Sequence, residues 1–187
     1  MNSKFTKEEL IKQLKADPTR GYIERLSATL RAQDFDLNEM IDITFHPDKQ
    51  TAFRAAWLLD VTILYNPELY IQNLEYLVKR IKDVSNESCK RQYARIMMHL
   101  TAPNASESIK LKLQSLDLED VVEQFFDWII DPKVKVAVKA FAADTLFNLS
   151  PRYNWIAEEL ANQIQFMMRT GSPAIQSKGR DLLARLQ

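Results

Sequence analysis

The side chains best suited to chemistry are few and scattered along this 187-residue chain. His46 and His99 lie far apart, and neither has a neighbour at the spacing that sets two imidazoles on one helical face around a metal. Cys89 opens a helical stretch beside Lys90 and Arg91, conditions that can lower a thiol pKa, yet no His–Asp arrangement accompanies it. Three glycines are too few for a phosphate-cradling loop, and no Ser-centred nucleophile elbow occurs. The expectation is therefore no catalytic residue, no cofactor and no metal, with the enzyme question left open on the side of no enzyme. A lone cysteine excludes an internal disulfide and fits a reducing compartment.

Charge offers more. Lys+Arg and Asp+Glu both total 25, so no global field draws the chain to nucleic acid or membrane. Locally, 77–112 carries Lys79, Arg80, Lys82, Lys90, Arg91, Arg95, Lys110 and Lys112 against Asp83, Glu87 and Glu107. The next stretch, 113–131, holds acids and no base. Two readings follow: a solvated surface whose charges compensate one another, or a stripe that contacts phosphate. Helical phase marks Lys90, Arg91 and Arg95, with Lys135 and Lys139, as candidate partner-binding residues on an exposed ridge. Trp57, Trp128 and Trp155 each sit among apolar residues, where packing is the first reading. Trp128 lies off the main stripe of its helix and is the candidate aromatic anchor.

These residues must be positioned by helices. Asp17-Pro18, Asn66-Pro67, Asp131-Pro132, Ser150-Pro151 and Ser172-Pro173 each set a capping residue before proline, the signature of a helix start. Thr6 with Glu9, and Asp36 with Glu39, add two capping boxes; softer starts fall near Asn86 and Ser106. Read as pairs, the helices are 7–16 with 18–33, 37–45 with 49–65, 67–82 with 87–100, 117–130 with 133–149, and 151–169 with 173–186. The segment 101–116, a loop plus a short helix, interrupts the period.

The fourth pair organises the chain. Leu118, Val121, Val122, Phe125, Phe126 and Ile129 form one apolar stripe. Its partner helix carries two: Val134, Val138, Phe141, Ala142 and Leu149 on one side, and Val136, Ala140, Ala143 and Phe147 nearly opposite. A helix with two apolar faces is packed between neighbours, as stacked helical repeats require. Val134, Val136 and Val138 alternate like a strand, but the alanine-rich continuation favours helix.

Phe53-Arg54-Ala55-Ala56-Trp57-Leu58-Leu59, following Asp48 at a turn, resembles the second helix of a HEAT repeat, which places Asp at the turn and Arg six residues later to pair across stacked repeats. That resemblance implies an all-α, right-handed α–α superhelix of about five antiparallel helix pairs in a single domain, 1–187. It also implies a non-enzymatic scaffold or adaptor for a protein partner. The alternative is a nucleic-acid binder similar to the DNA alkylation repeat family of glycosylases, which is built of HEAT-like helices. His46-Pro47-Asp48-Lys49 is identical to the loop of J-domain co-chaperones, but the acidic helix before it lacks the basic surface that family uses, and a plain inter-helix turn is the stronger reading. An amphipathic, charged N-terminus without a signal-peptide core, and no apolar run near membrane-span length, set the expectation of a cytoplasmic chain with no membrane partner. Helix phase leaves open whether solvent or a second copy covers the terminal pairs.

Overall fold

Thr6 and Glu9 begin the fold with a reciprocal capping box. The Thr6 N–H donates to Glu9 Oε2 at 2.8 Å, and the Glu9 N–H to Thr6 Oγ1 at 3.2 Å. The computed structural model describes residues 5–16, 19–33 and 35–186. All regular structure among them is helical: α1 Lys7–Ala16, α2 Arg20–Ala32, α3 Leu37–Ile43, α4 Lys49–Tyr65, α5 Leu74–Arg80, α6 Glu87–Leu100, α7 Glu107–Gln114, α8 Glu119–Ile130, α9 Val136–Leu149, α10 Trp155–Thr170 and α11 Pro173–Leu186. Short 3₁₀ segments, Pro67–Asn73 and Ile81–Asp83, flank α5. No helix of the described residues is long and apolar enough to cross a membrane. The chain forms two compact units, 1–96 and 97–187.

In the first unit α4 packs against α1, α2 and α3. Its buried residues run around most of its circumference, from Ala52 and Ala55 to Leu58, Leu59 and Ile63. A helix used on several sides must also satisfy its polar groups internally. Ser27 Oγ of α2 and Thr62 Oγ1 of α4 meet at 2.8 Å in the core. Thr44 donates to the Ile41 carbonyl and accepts from the buried Tyr93 hydroxyl, each at 2.7 Å.

In the second unit α9 takes the same part. It contacts α8, α10 and α11, which confirms the two-faced reading. Ala140 and Ala143 face Ile164, Ile175 and Leu182 of α10 and α11 across an apolar hollow of about 400 Å³. Ala140 and Ala143 on one wall, with Ala174 and Gly179 on the other, leave that space unfilled. Outside the hollow, α11 is fixed to α9 by charge. Asp144 accepts from Lys178 at 2.7 Å, and the Arg185 guanidinium lies 4.1 Å from the Phe147 ring centroid.

Two of the five capping-residue–proline pairs start helices as expected: Asn66 accepts from the Glu68 N–H, and Ser172 from the Ile175 N–H, one residue before α11. Asp17-Pro18 lies outside the described residues, and Thr19 caps α2. The other two require correction. Asp131 closes a tight turn on the Lys133 N–H at 2.8 Å, and α9 begins only at Val136, with Lys135 as its N-cap. The intervening turn tucks Val134 into the core at 4% exposure. Ser150 donates its hydroxyl to the Phe147 carbonyl at the end of α9 and is thereby unavailable to cap the next helix, which starts at Trp155.

The turn after α9 serves a further purpose. Arg152 donates through Nη1 to the Leu113 carbonyl at 2.9 Å and through Nη2 to the Leu116 carbonyl at 2.6 Å, closing the C-terminal end of α7. Removing it leaves two carbonyls without that charged donor. Arg152→Met is expected to lower stability by about 1–2 kcal/mol, with Arg152→Lys in between because an ammonium lacks the fork. Chemical denaturation monitored by circular dichroism checks the order; equal stability of all three would dismiss the cap.

Candidate functional site

The most elaborate concave surface in the first unit is a groove of about 680 Å³ built by α2, α4 and α6. Helix α4 supplies its wall with Phe53, Trp57, Leu64 and Tyr65. Phe53 and Trp57, one turn apart, stack with ring centroids 6.2 Å apart. Tyr65 is 69% exposed and is covered on one side by the Arg31 guanidinium, 3.8 Å from its centroid. Helix α2 contributes Arg20 and Glu24, paired at 2.8 Å in solvent. Helix α6 contributes Arg91, Gln92 and Arg95.

The groove contains a buried charge. The Asp60 side chain is 4% exposed and pairs through Oδ2 with Arg95 Nη1, whose side chain is 37% exposed. Burial pushes the Asp60 carboxyl above its ordinary value, against the opposing pull of Arg95 and Arg91. Its second oxygen, Oδ1, has no hydrogen-bond partner, and neither has the buried Oε1 of Gln92 in the same groove. Two buried acceptors are thus left over beside an arginine-rich, aromatic rim.

In each unit a helix packed between neighbours, α4 in the first and α9 in the second, is what a helical repeat requires. A family model for the HEAT repeat domain matches residues 10–186. The chain belongs to the HEAT repeat family. No curated protein and no solved structure matches it significantly. The Asp–Arg spacing that carried the HEAT resemblance does two separate jobs here. Asp48 caps α4, accepting from the Thr51 N–H at 3.0 Å, whereas Arg54 Nη1 crosses to the first hairpin and donates to the Leu14 carbonyl at 2.7 Å. In the same turn His46 Nδ1 accepts from the Asp48 N–H at 3.0 Å, so His46-Pro47-Asp48 builds the α3–α4 connection of the HEAT pair.

The candidate residues separate sharply. Arg91 is exposed and lines the groove. Lys90 is 8% exposed and pairs with Glu87, so it is no ridge residue. Arg95 reaches the groove but is engaged by Asp60. Lys139 is half-buried, and its Nζ donates to the Ile129 carbonyl at the end of α8, 2.8 Å away; burial lowers its pKa below the ordinary lysine value. Lys135 is exposed at the start of α9, in the second unit. Trp128 is 2% exposed and stacked on Phe125 at 4.9 Å, which makes it a core residue and removes it as an anchor. The exposed tryptophan is Trp155, at 52%, lying against Phe126.

The basic stretch is largely consumed by local partners. Lys79 pairs with Glu75 at 2.8 Å, and Arg80 lies 4.1 Å from the Phe45 centroid and 3.5 Å from Asp83. Cys89 is buried, which pushes its thiol up to about 12, the opposite of the lowering that Lys90 and Arg91 suggested. Asp60, Gln92 and Tyr65 were not foreseen. The signal for Asp60 was present: a single acid inside the apolar run 55–64 marks a buried charge that needs a partner.

A carboxyl whose folded pKa is raised stabilises the fold less as its proton leaves, so Asp60 favours folding below the ordinary carboxyl range and loses that contribution as pH rises through its higher folded value. Arg95→Met removes the main opposing charge and widens that window upward. The variant is expected to be destabilised by about 2 kcal/mol at pH 7, less than for breaking a fully buried pair because Arg95 is partly in water. The deficit is expected to shrink as pH falls toward 4. Thermal unfolding of both proteins across that range tests this; a deficit independent of pH would show that Asp60 is not its source.

Proposed function

We propose that this HEAT repeat chain is a non-enzymatic interaction module that docks a protein partner in the α2/α4/α6 groove. The observation that carries the reading is the groove's composition. Trp57, Tyr65 and Arg91, residue types enriched at binding hot spots, stand at one concave surface with buried polar groups beneath them. A chain of this size exposes isolated apolar residues routinely, but the coincidence of aromatic wall, exposed arginine and unfilled volume in one place is what recognition needs. Lys79, Arg80, Lys90 and Arg95 each have an acidic partner within the chain, which favours a protein partner over a phosphate backbone, since phosphate binding draws on several lysines and arginines at once.

The test is affinity capture with the tagged protein from its own cells, divided into nuclease-treated and untreated halves. A specific protein is expected in both halves. It is expected to be depleted at least about tenfold by Arg91→Glu and unaffected by Lys135→Glu in the second unit. Capture that vanishes with nuclease, or that ignores Arg91, overturns the proposal.

A further inference from the structure

We infer that a recess in the second unit holds a small amphipathic carboxylate, an aliphatic or aromatic body ending in one acid group, with Lys110 as its charge partner. The recess lies where 101–116 interrupts the helical period. There α7 is only 8 residues long, and the C-terminal ends of α6 and α9 complete the walls. Its volume is about 460 Å³, a size that encloses one small molecule. Leu100, Leu113, Leu118, Leu149 and Pro151 supply an apolar lining.

The polar groups decide which kind of ligand suits that lining. Lys110 and Gln114, one turn apart on α7, both line the recess. Among the described residues neither side chain has a hydrogen-bond or ion-pair partner, although Lys110 is half-buried. A half-buried ammonium without a counter-charge has given up part of its hydration for nothing. An anion from outside restores it through a charge-assisted hydrogen bond.

The chain itself supplies no such anion. No acid lines the recess. Asp117, just beyond α7, accepts from the Glu119 N–H at 2.9 Å, and Glu107, one turn before Lys110, forms no ion pair with it. Arg152 also lines the recess. It donates to the Leu113 and Leu116 carbonyls, which are neutral, so its charge adds to that of Lys110.

Head and body are both required. An inorganic anion would meet Lys110 and leave the leucines facing water, whereas a neutral hydrocarbon would cover the leucines and leave Lys110 unpaired. A carboxylate with an apolar body satisfies both, and the Gln114 amide can donate to its second oxygen. A phosphate head would bring a second charge, while the Arg152 Nη1 and Nη2 groups are already engaged with carbonyls.

The probes are octanoate, octanamide, octyl phosphate and acetate, titrated into the full chain by calorimetry, with methyl NMR to locate the bound molecule. Octanoate is expected to bind about tenfold tighter than octanamide, and acetate least. Between butanoate and octanoate, affinity is expected to rise by up to about fourfold per methylene. Lys110→Gln is expected to lower octanoate affinity about tenfold, to the level of octanamide. Lys110→Arg is expected to keep most of it, and Lys135→Gln to change nothing, with thermal unfolding confirming that all three variants fold. The methyl resonances of Leu113, Leu118 and Leu149 are expected to shift. Equal binding of octanoate and octanamide, native affinity in Lys110→Gln, or shifts confined to Ile164 and Ile175 overturns the assignment. Tighter binding of octyl phosphate than of octanoate overturns the carboxylate head.

Discussion

Each helix ends in carbonyls that its own residues cannot satisfy, and this chain has almost no glycine with which to close them. Side chains from other segments do it instead. Arg54 reaches the Leu14 carbonyl at the end of α1, Lys139 the Ile129 carbonyl at the end of α8, and Arg152 the Leu113 and Leu116 carbonyls after α7. Asn148 serves the end of α6 through the Met98 carbonyl. Each contact places a cation or amide donor where the helix dipole is negative. Each also joins segments 10 to 50 residues apart in sequence. The same interaction that caps a helix thus holds neighbouring helices in register.

This device explains why the architecture was legible while the surface was not. Helix number, the α3–α4, α8–α9 and α10–α11 pairs and the two-faced character of α9 follow from apolar spacing, which depends on sequence alone. The break at 101–116 was visible for the same reason, since the period fails there. Helix starts were less secure. A capping residue before proline suits both a helix N-terminus and a tight turn, and Asp131 and Ser150 show the second use. Which use prevails depends on what the following residues bury. At 131–135 the burial of Val134 favours the turn.

Helical phase misplaced the candidate site because it assigns a direction and not a partner. Lys90, Arg95 and Lys139 were assigned to an exposed ridge, yet each is engaged by a group on another turn or another helix: Glu87, Asp60 and the Ile129 carbonyl. Long cationic side chains bury their stems and carry their charge to such partners, so an off-stripe position does not imply a solvated one. Trp128 fails in the opposite sense. It lies off the stripe of α8 and is buried all the same, stacked on Phe125. Arg91 kept its expected exposure, and it belongs to a groove whose other walls come from α2 and α4. No sequence window contains those three helices together.

Recognition requires directional groups that folding has not already used. The hollow of the second unit illustrates their absence. It is walled by alanines, aliphatics and methionine, and the two lysines beside it are committed, Lys139 to a helix end and Lys178 to Asp144. An apolar guest would find volume there but nothing to fix its orientation. The α2/α4/α6 groove differs in what folding leaves over. Its buried Asp60 takes one oxygen into the Arg95 pair and keeps another, and Gln92 keeps its carbonyl oxygen. A buried carboxylate is a poor contribution to stability, and a leucine at position 60 would pack the same helix without the desolvation cost. Leaving a charge and two acceptors beneath an aromatic rim costs stability, and on that ground the proposed docking surface is placed in the groove rather than in the hollow.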